Sequence, residues 1–584
     1  GRAALQVELD DNWTITPSVI GQDERNHGSF GYDPTVGDLD VQHFYPEYYH
    51  DRFVQAALTV QGKVGDWDLT YAAAYLDRKI NSSTDYTDYA EQYDSLYSGV
   101  GGLAGYFAYQ DASGKTIDPR QNILGQDHFT KHSEEVRLAS PVDNPFRIVA
   151  GAFYQRQTHL IHQDYQIPGL SPDLSVNGVP GTLWLTQQNR IDRDYAVFGE
   201  ASLDITPTLT LTGGGRGFIY DNSLVGFFGF GRNPGTDAPG DPAFSAQPFN
   251  AAESSHTGVV QCFTADGLPP GVGSGALLPP VVPGGPCTNL GTQSGTAVHP
   301  KRASGEGFTH RLNLTWKATP DVLLYATWSR GFRPGGINRR STVEPYAADY
   351  LTNYEAGFKT TLFDRALRFN GAFFWQEWKK FQFAFLGANS FTEVHNGPNA
   401  RIKGIEADAN LTPFAGLVLT ASGTYTDAKI RDNLCFADDA SAACDSPGDF
   451  VSAPKGTRLP ITPKLKVNGV ARYSFPLASA TGHLQGVVTH QSSASSDIRT
   501  AIVETGTGAI VDPAALTGRL AAFTTADFSF GGEWANISAE LYVENAFDER
   551  AQLSRYQECG SCFQRPYIVT NTPRTIGLRA GYKF

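Results

Sequence analysis

Four closely spaced arginines have the clearest binding chemistry in this sequence. Arg330 and Arg333 end an alternating segment, and Arg339 and Arg340 follow a short run that contains Pro and Gly. Guanidinium groups donate charge-assisted, often bidentate hydrogen bonds to anionic groups. One interpretation is therefore that they contact an anionic ligand. The interpretation we favour is structural, with the charges lining the interior of the protein.

The cysteines form three pairs that are local in sequence, each in a segment rich in Gly, Pro, Asp or Ser. Even numbers of cysteines in loop-like segments favour disulfides and an oxidising compartment. The last pair has C-x-x-C spacing, but it lacks the strand–helix–strand context of a thioredoxin-like redox motif. A zinc site that uses loop histidines is also disfavoured. The predicted disulfide partners are Cys262 with Cys287, Cys435 with Cys444, and Cys559 with Cys562.

Other residues that could do chemistry are better explained by strands. The run from Gly213 to Gly217 lacks both the Lys-Ser/Thr ending and the helix of a phosphate-binding loop. His159 and His162 are three residues apart, which places them on opposite faces of a strand. No Ser/His/Asp combination or G-x-S-x-G elbow stands out. We therefore predict no catalytic residues, no metal site, no cofactor and no enzymatic activity.

These residues are set in a chain dominated by period-two alternation, which is clearest in its last segment. Alternation places successive side chains on opposite faces of a strand. An apolar face beside a face of glycine and charge is typical of a strand between lipid and water, and Tyr582 and Phe584 form an outer-membrane terminal signature. The apolar set is Ile576, Leu578, Ala580, Tyr582 and Phe584, and the other set is Thr575, Gly577, Arg579, Gly581 and Lys583.

Strand candidates come in pairs joined by short turns, and long connections separate the pairs. Pro, Gly, Asp and Asn in the turns, as at Gly65-Asp66 and Pro320-Asp321, supply the dihedrals that hairpins need. Short turns at one rim and long loops at the other favour an all-β, transmembrane antiparallel β-barrel of about 19 strands over a sandwich or propeller. The predicted barrel covers residues 1–584, with extracellular loops at approximately 23–50, 81–126, 164–190, 222–304, 334–349, 431–460 and 547–572.

Composition narrows the possible classes of protein. The 584 residues carry a net charge of −14, with a mean hydropathy of −0.29 and no methionine. The acids are dispersed and no basic face is visible, which argues against nucleic-acid binding. No apolar run reaches the roughly 18 residues of a transmembrane helix, but a barrel strand exposes only alternate side chains to lipid. Because no signal peptide is visible and the chain opens within a strand pattern, we expect a mature or partial sequence.

Ordered motifs in the middle and at the end of the chain resemble those of the TonB-dependent outer-membrane receptors. Leu324 to Gly336 (LYATWSRGFRPGG) is similar to a barrel motif of that family, and Asn353 to Lys359 (NYEAGFK) follows it as in the family. The resemblance is strong from about Gly305 onwards. Further matches are Leu362-Phe363-Asp364-Arg365, Phe373-Phe374-Trp375-Gln376, Asn396 through Gly404-Ile405-Glu406, Glu544-Asn545-Ala546-Phe547-Asp548 and Pro573–Phe584.

The resemblance implies a complete barrel of roughly 22 strands with a plugged lumen. We expect the N-terminal plug, the TonB-binding segment and the first strands to lie outside these residues. The implied function is energised uptake of a scarce nutrient, a ferric siderophore or similar complex, across the outer membrane of a Gram-negative bacterium. The implied partners are outer-membrane lipid and lipopolysaccharide, the TonB complex through the N-terminal part, and small-molecule cargo, with no nucleic acid and a monomeric state. A passive porin-like channel and a surface receptor or adhesion barrel remain as alternatives.

Overall fold

A computed structural model describes the chain over residues 1–89, 109–172, 174–176, 179–230, 263, 265, 278–339, 343–386, 392–435, 444, 449–503, 509–557 and 565–583. A short helix, Pro513–Thr517, begins after Asp512, whose side chain accepts a hydrogen bond from the Ala514 N–H. Within the described ranges, no helix is long and apolar enough to cross a membrane.

In the ranges that the structure describes, β-strands make up nearly all of the other regular structure. In chain order the strands are β1 (Arg2–Ala4), β2 (Val7–Glu8), β3 (Thr14–His27), β4 (Gly31–Tyr32), β5 (Tyr48–Val64), β6 (Trp67–Asp85), β7 (Asn122–Ala139), β8 (Phe146–Gln166), β9 (Thr182–Thr206), β10 (Leu209–Phe230), β11 (Thr292–Ser294), β12 (Ala297–His299), β13 (Lys301–Thr319), β14 (Val322–Arg333), β15 (Asp349–Leu362), β16 (Leu367–Lys379), β17 (Gln382–Leu386), β18 (Thr392–Asn396), β19 (Ala400–Phe414), β20 (Leu417–Ile430), β21 (Leu434–Cys435), β22 (Val451–Ala453), β23 (Leu465–Leu477), β24 (Ala480–Gln491), β25 (Ile502–Val503), β26 (Ile510–Val511), β27 (Phe523–Trp534), β28 (Ile537–Glu544), β29 (Gln552–Tyr556), β30 (Tyr567–Thr570) and β31 (Thr575–Tyr582).

Twenty of these strands form one antiparallel sheet. Eighteen of them pair in the order β3-β5-β6-β7-β8-β9-β10-β13-β14-β15-β16-β19-β20-β23-β24-β27-β28-β31. Both β1 and β2 pair with β3, so they are two parts of one edge position and the sheet has nineteen positions in all. In the part of the chain that the structure describes, this edge and β31 are not paired with each other. The predicted all-β antiparallel architecture is confirmed.

Short turns connect the sheet strands at one rim, and long connections join them at the other. Two residues join β5 to β6, and two join β19 to β20. Each of these turns contains a glycine in the left-handed region, Gly65 with φ 61° and Gly416 with φ 91°. Glycine adopts this conformation without a Cβ penalty, which is why it recurs in tight hairpins. Local turn chemistry therefore explains the short connections at this rim.

The two faces of the sheet differ in chemistry, as β28 and β31 illustrate. Leu541 pairs with Leu578, and both side chains are exposed, at 55% and 74%. On the opposite face, Arg579 Nη1 donates to Glu540 Oε1 at 2.8 Å. Exposed leucines in register on neighbouring strands are the surface that a bilayer covers, while paired charges suit a wet interior. We call these the outer and the inner face of the wall.

The wall is much taller on one side than on the other. Strands β8, β9 and β10 have 21, 25 and 22 residues, whereas β27, β28 and β31 have 12, 8 and 8. The tall strands extend into the ranges 164–190 and 222–304, because β9 already begins at Thr182 and β10 runs to Phe230. A separate hairpin, β17 with β18, also occupies a segment outside the predicted loops. These segments have no clear apolar alternation in sequence, but they form strands because they pair with long neighbouring strands.

Apolar cores lie at the long-loop rim of the wall. One cluster joins Ala428 and Ile430 at the top of β20 to Leu434, Ala453 and Leu459 in the connection that follows. Another lies beside β9 and contains Tyr109, Ile167, Leu170, Leu174 and Leu183. Burial of such side chains stabilises folded loops by roughly 25 cal/mol per Å² of apolar surface. The long connections therefore have packed structure of their own.

Connections from the two ends of the sheet pair with each other and form an ion pair at the long-loop rim. Strand β4 pairs with β30, which also pairs with β29, so segments from the start and the end of the chain share a small sheet. Arg550 Nε and Nη2 donate to Asp38 at 3.0 and 2.9 Å, across 512 positions of sequence. The first and last parts of the large sheet are therefore neighbours, which requires the sheet to curl back on itself as a barrel wall.

Candidate functional site

A polar recess lies on the inner face of the tall side of the wall, near the long-loop rim. Phe129 of β7, His159 of β8 and Arg190 of β9 are neighbours in the strand register and therefore share this face. The connection between β14 and β15, described at 334–339 and 343–348, contacts the inner face through Gly335 and Arg339. The recess combines side chains from three strands and one loop.

Arg339 is the side chain that the connection adds to the recess. Its Nη1 donates to Gln163 Oε1 at 3.4 Å, and its charge interacts with Tyr165, Asp127 and Arg190. Burial lowers the pKa of the Arg339 guanidinium, and the neighbouring Arg190 cation adds to this effect. An arginine stays protonated under such conditions, so the recess holds a cation that has lost most of its water.

Arg190 supplies the second cation of the recess, and a neighbouring carboxylate balances its charge. Its Nε donates to both carboxylate oxygens of Asp192 at 3.0 Å. Arg339 has no such partner, because none of the carboxylates in the described residues is within ion-pairing distance of it. His159 Nε2 lies 2.7 Å from Asp127 Oδ1, which engages that carboxylate. The recess therefore has one cation available for an anionic group from outside.

The backbone around Arg339 is held at both ends. Gly336 and Tyr346 exchange two backbone hydrogen bonds of 3.0 Å, and a Cβ on Gly336 would lie 2.2 Å from the Tyr346 hydroxyl. Asn338 is buried, and its Nδ2 donates to the Glu344 and Val394 carbonyls at 2.9 and 3.0 Å. These bonds fasten the connection to itself and to the β17–β18 hairpin. Arg339 thus directly follows an anchored residue, although it lies outside regular structure.

Two of the other predicted arginines, Arg330 and Arg333, have structural partners. Arg333 forms an ion pair with buried Asp349 and donates to the Gln382 carbonyl at 3.0 Å. The Arg330 guanidinium lies 4.1 Å from the centre of the Tyr350 ring, in the cation–π range. Of the three predicted arginines that the structure describes, it therefore brings Arg339 alone into the recess. Arg340 lies outside the described residues.

The structure describes some of the predicted cysteine and terminal residues but not all of them. Cys435 and Cys444 form a disulfide with a Cα–Cα distance of 5.3 Å, and Cys287 is also disulfide-bonded. Tyr582 ends β31 on the outer face, opposite Ile537. Cys262, Cys559, Cys562 and Phe584 lie outside the described residues.

The alternative chemical motifs belong to strands. Gly213 to Gly217 lies within β10, where a Cβ on Gly215 would approach the Phe308 ring to 2.4 Å. Close packing against a cross-strand aromatic therefore explains the glycine. His159 and His162 lie on opposite faces of β8, as their spacing predicts. In the described part of the chain, no group of three or more His, Cys, Asp or Glu side chains could hold a metal ion.

The sequence matches a known family over most of its length. The match covers residues 12–546, and the family is described as TonB dependent receptor-like, beta-barrel. The chain belongs to the TonB-dependent receptor family. The predicted family and the predicted transmembrane antiparallel barrel are thereby confirmed. Members of this family are outer-membrane transport receptors of Gram-negative bacteria rather than enzymes.

Solved structures share the fold of this TonB-dependent receptor at low sequence identity. The ferric yersiniabactin uptake receptor FyuA from Yersinia pestis is 13% identical with a TM-score of 0.67, and the similarity covers 100% of this chain and 70% of FyuA. The siderophore receptor PiuA from Acinetobacter baumannii is 13% identical with a TM-score of 0.62, over 100% and 74% of the two chains. The ferric-catecholate import receptor Fiu from K12 E. coli is 15% identical with a TM-score of 0.61, also over 100% and 74%.

Sequence reasoning missed most of the receptor's recess. Arg190 and Tyr165 lie within the predicted loop 164–190, and so were not considered as parts of strands. The charged residues at every second position, Arg190, Asp192 and Asp194, were a usable signal of a strand that continues beyond the lipid band. The contact of Arg339 with Gln163 joins positions 176 residues apart and has no sequence signature.

Proposed function

We propose that this barrel is the membrane part of a receptor for energised uptake of a ferric siderophore or a similar anionic complex. The observation that supports the cargo class best is the Arg339 guanidinium, which lies largely desolvated on the inner side of the wall and has no carboxylate partner among the described residues. Such a group forms charge-assisted hydrogen bonds with hydroxamate, catecholate or carboxylate oxygens. The similar structures FyuA, PiuA and Fiu are named for ferric or siderophore cargo.

Transport in this proposal consists of binding and displacement, and no covalent bond changes. Cargo enters from the long-loop rim and contacts Arg339, while Arg190 and Asp192 keep the surrounding charge balanced. The TonB complex acts through an N-terminal part outside these residues and displaces a plug from the lumen. We expect a monomer in the outer membrane, in contact with lipid and lipopolysaccharide, and no nucleic-acid partner.

The cargo proposal is tested by binding to the full-length receptor in detergent. Ferric siderophores of the catecholate, hydroxamate and carboxylate classes are titrated while intrinsic fluorescence is followed. Loss of one charge-assisted hydrogen bond costs about 1.5–3 kcal/mol, so Arg339→Gln should raise Kd by about 10- to 150-fold for the bound class. Arg365→Gln is the matched control, since Arg365 is exposed in the short turn between β15 and β16. Equal Kd values for Arg339→Gln and the wild type would exclude the recess as the cargo site.

Energised uptake is tested separately from binding. In cells that depend on this receptor for iron, growth on the bound siderophore should require TonB. Conductance of the full-length protein in a planar bilayer should stay low without TonB. A large conductance that is always open would instead support a passive porin-like channel.

A further inference from the structure

Two neighbouring side chains on the inner face of β9 are buried without hydrogen-bond partners. Gln188 is 0% exposed and Thr186 is 1% exposed, and they share their face with Arg190 because all three alternate along the strand. Within the described residues, neither amide atom of Gln188 nor the Thr186 Oγ1 has a hydrogen-bond partner. Buried polar groups are nearly always paired, because an unmade bond leaves the cost of desolvation uncompensated. The unpartnered atoms therefore indicate a place for a group from outside.

The strands beside Gln188 cannot satisfy its amide. In the register Gln188 lies between Ile161 of β8 and Gly226 of β10, and neither of these has a polar side chain. A Cβ on Gly226 would come within 2.2 Å of the Gln187 carbonyl oxygen, so a larger residue does not fit there. The packing of the wall thus keeps the amide of Gln188 unpaired in the empty receptor.

Arg339 lies next to these two side chains. Its Nη1 donates to Gln163 Oε1 at 3.4 Å, and Gln163 is directly opposite Thr186 in the pairing of β8 with β9. Neighbouring strands are about 4.8 Å apart. An anionic group bound to Arg339 therefore brings its own substituents to about one strand spacing from Thr186.

We propose that Thr186 and Gln188 form a subsite for a primary carboxamide of the cargo. A primary carboxamide has two N–H donors and one carbonyl acceptor. One N–H donates to Gln188 Oε1, the carbonyl accepts from Gln188 Nε2, and the second N–H donates to Thr186 Oγ1, so all three unpartnered atoms are used. The carboxamide takes the space that Arg339 leaves as its side chain turns from Gln163 to the anionic group. This subsite rests on the proposed function and adds a carboxamide requirement to it.

The test compares ligands that differ only in the carboxamide. Ferric complexes of catechol, benzohydroxamate and salicylate are prepared with either a para-carbamoyl or a para-acetyl group on the ring. The acetyl group keeps the carbonyl and the shape of the carbamoyl group but has no N–H. Each unmade hydrogen bond costs about fivefold in affinity, so in the class that binds, the carbamoyl complex should have a Kd about 25-fold below that of the acetyl complex. Kd is measured by fluorescence titration of the full-length receptor in detergent.

A double variant assigns this preference to the two side chains. Thr186→Val with Gln188→Leu removes the three atoms at nearly constant volume, so the ratio of the two Kd values should fall from about 25 to about 1. The empty variant should be at least as stable as the wild type in thermal unfolding, because no hydrogen bond within the described residues is lost with these atoms. Gln376→Leu makes a matched change on the inner face of β16, away from the recess, and should keep the wild-type ratio.

The outcomes separate the subsite from the proposed function. Equal binding of the carbamoyl and acetyl complexes by the wild type would overturn the subsite and leave the proposed function standing, since cargo would then bind without a carboxamide. An unchanged ratio in the double variant would also overturn the subsite and assign the unpartnered atoms to ordered water. If no ferric complex of any class binds, the proposed function fails and the subsite fails with it.

Discussion

The last long connection, between β28 and β31, is held together at its base by the side chain of Asn545. This residue directly follows β28 in a left-handed conformation, with φ 48°, and only 5% of it is exposed. Its Nδ2 donates to the Glu549 and Thr572 carbonyls at 2.9 and 3.1 Å, and its Oδ1 accepts from the Glu549 N–H at 2.9 Å. Asn545 therefore ties the start of the connection to its end, immediately before β31.

Asn545→Ala should open this connection without unfolding the barrel. Three hydrogen bonds are lost at about 1 kcal/mol each, so local opening becomes easier by about 3 kcal/mol, or roughly 100-fold. Trypsin reports this change, because Arg550 and Arg555 lie within the connection. When opening is fast relative to cleavage, the rate of cutting follows the open population. We expect the cleavage rate in the folded receptor to rise by the same factor.

Two variants control this prediction. Asn536→Ala makes the same change in an exposed residue of the short turn between β27 and β28, and should leave cleavage unchanged. Asn545→Gly removes the same bonds but tolerates the left-handed backbone, so it should be cut about twofold to fivefold more slowly than Asn545→Ala. Cleavage of Asn545→Ala at the wild-type rate would refute the assignment of these three bonds as the fastening of the loop.

Two other predictions concern the long-loop rim. Arg550 holds the pKa of Asp548 at about 2, so the ordering that depends on this carboxylate is complete above its ordinary pKa of 3.8 and is lost as the pH falls towards 2. The protection factors of residues 546–557 in hydrogen exchange should therefore fall between pH 4 and pH 2, and Asp548→Asn should remove this dependence; a wild-type profile in that variant would contradict the reasoning. Mass spectrometry without reductant should find three intrachain bridges, whereas free thiols at all six positions would refute the predicted oxidising environment. The expected pairs are Cys262–Cys287, Cys435–Cys444 and Cys559–Cys562.

Alternation predicted the strands near the short turns well, because each side chain there faces either lipid or the wet interior. Leu578 and Arg579 illustrate this, since one step along β31 moves from the outer face to an ion pair on the inner face. The short turns were equally predictable, because a residue such as Gly65 indicates a backbone conformation that other residues rarely adopt. Where physical chemistry restricts the residue type locally, the sequence is sufficient to predict the structure.

Above the lipid band this restriction disappears. Both faces of β9 near Arg190 meet protein or water, so the apolar period that marks a strand fades and the segment resembles a loop. The partners of Arg339 and Arg550 are 176 and 512 residues away, and their pairing depends on how the sheet curls. The candidate recess was therefore only partly predictable: Arg339 was named for its chemistry, but its neighbours were not.

The small sheet of β4, β29 and β30 would report at the cell surface whether assembly of the barrel is complete. It joins Tyr32 to Ile568, so it forms only after nearly all of the wall has been laid down and bent into shape. Contacts between such distant segments are slow to form because the intervening chain must be ordered first. A nascent barrel that is still splayed would expose the unpaired edges of these segments. Surface ligands or antibodies directed at this junction would consequently distinguish finished molecules from stalled ones.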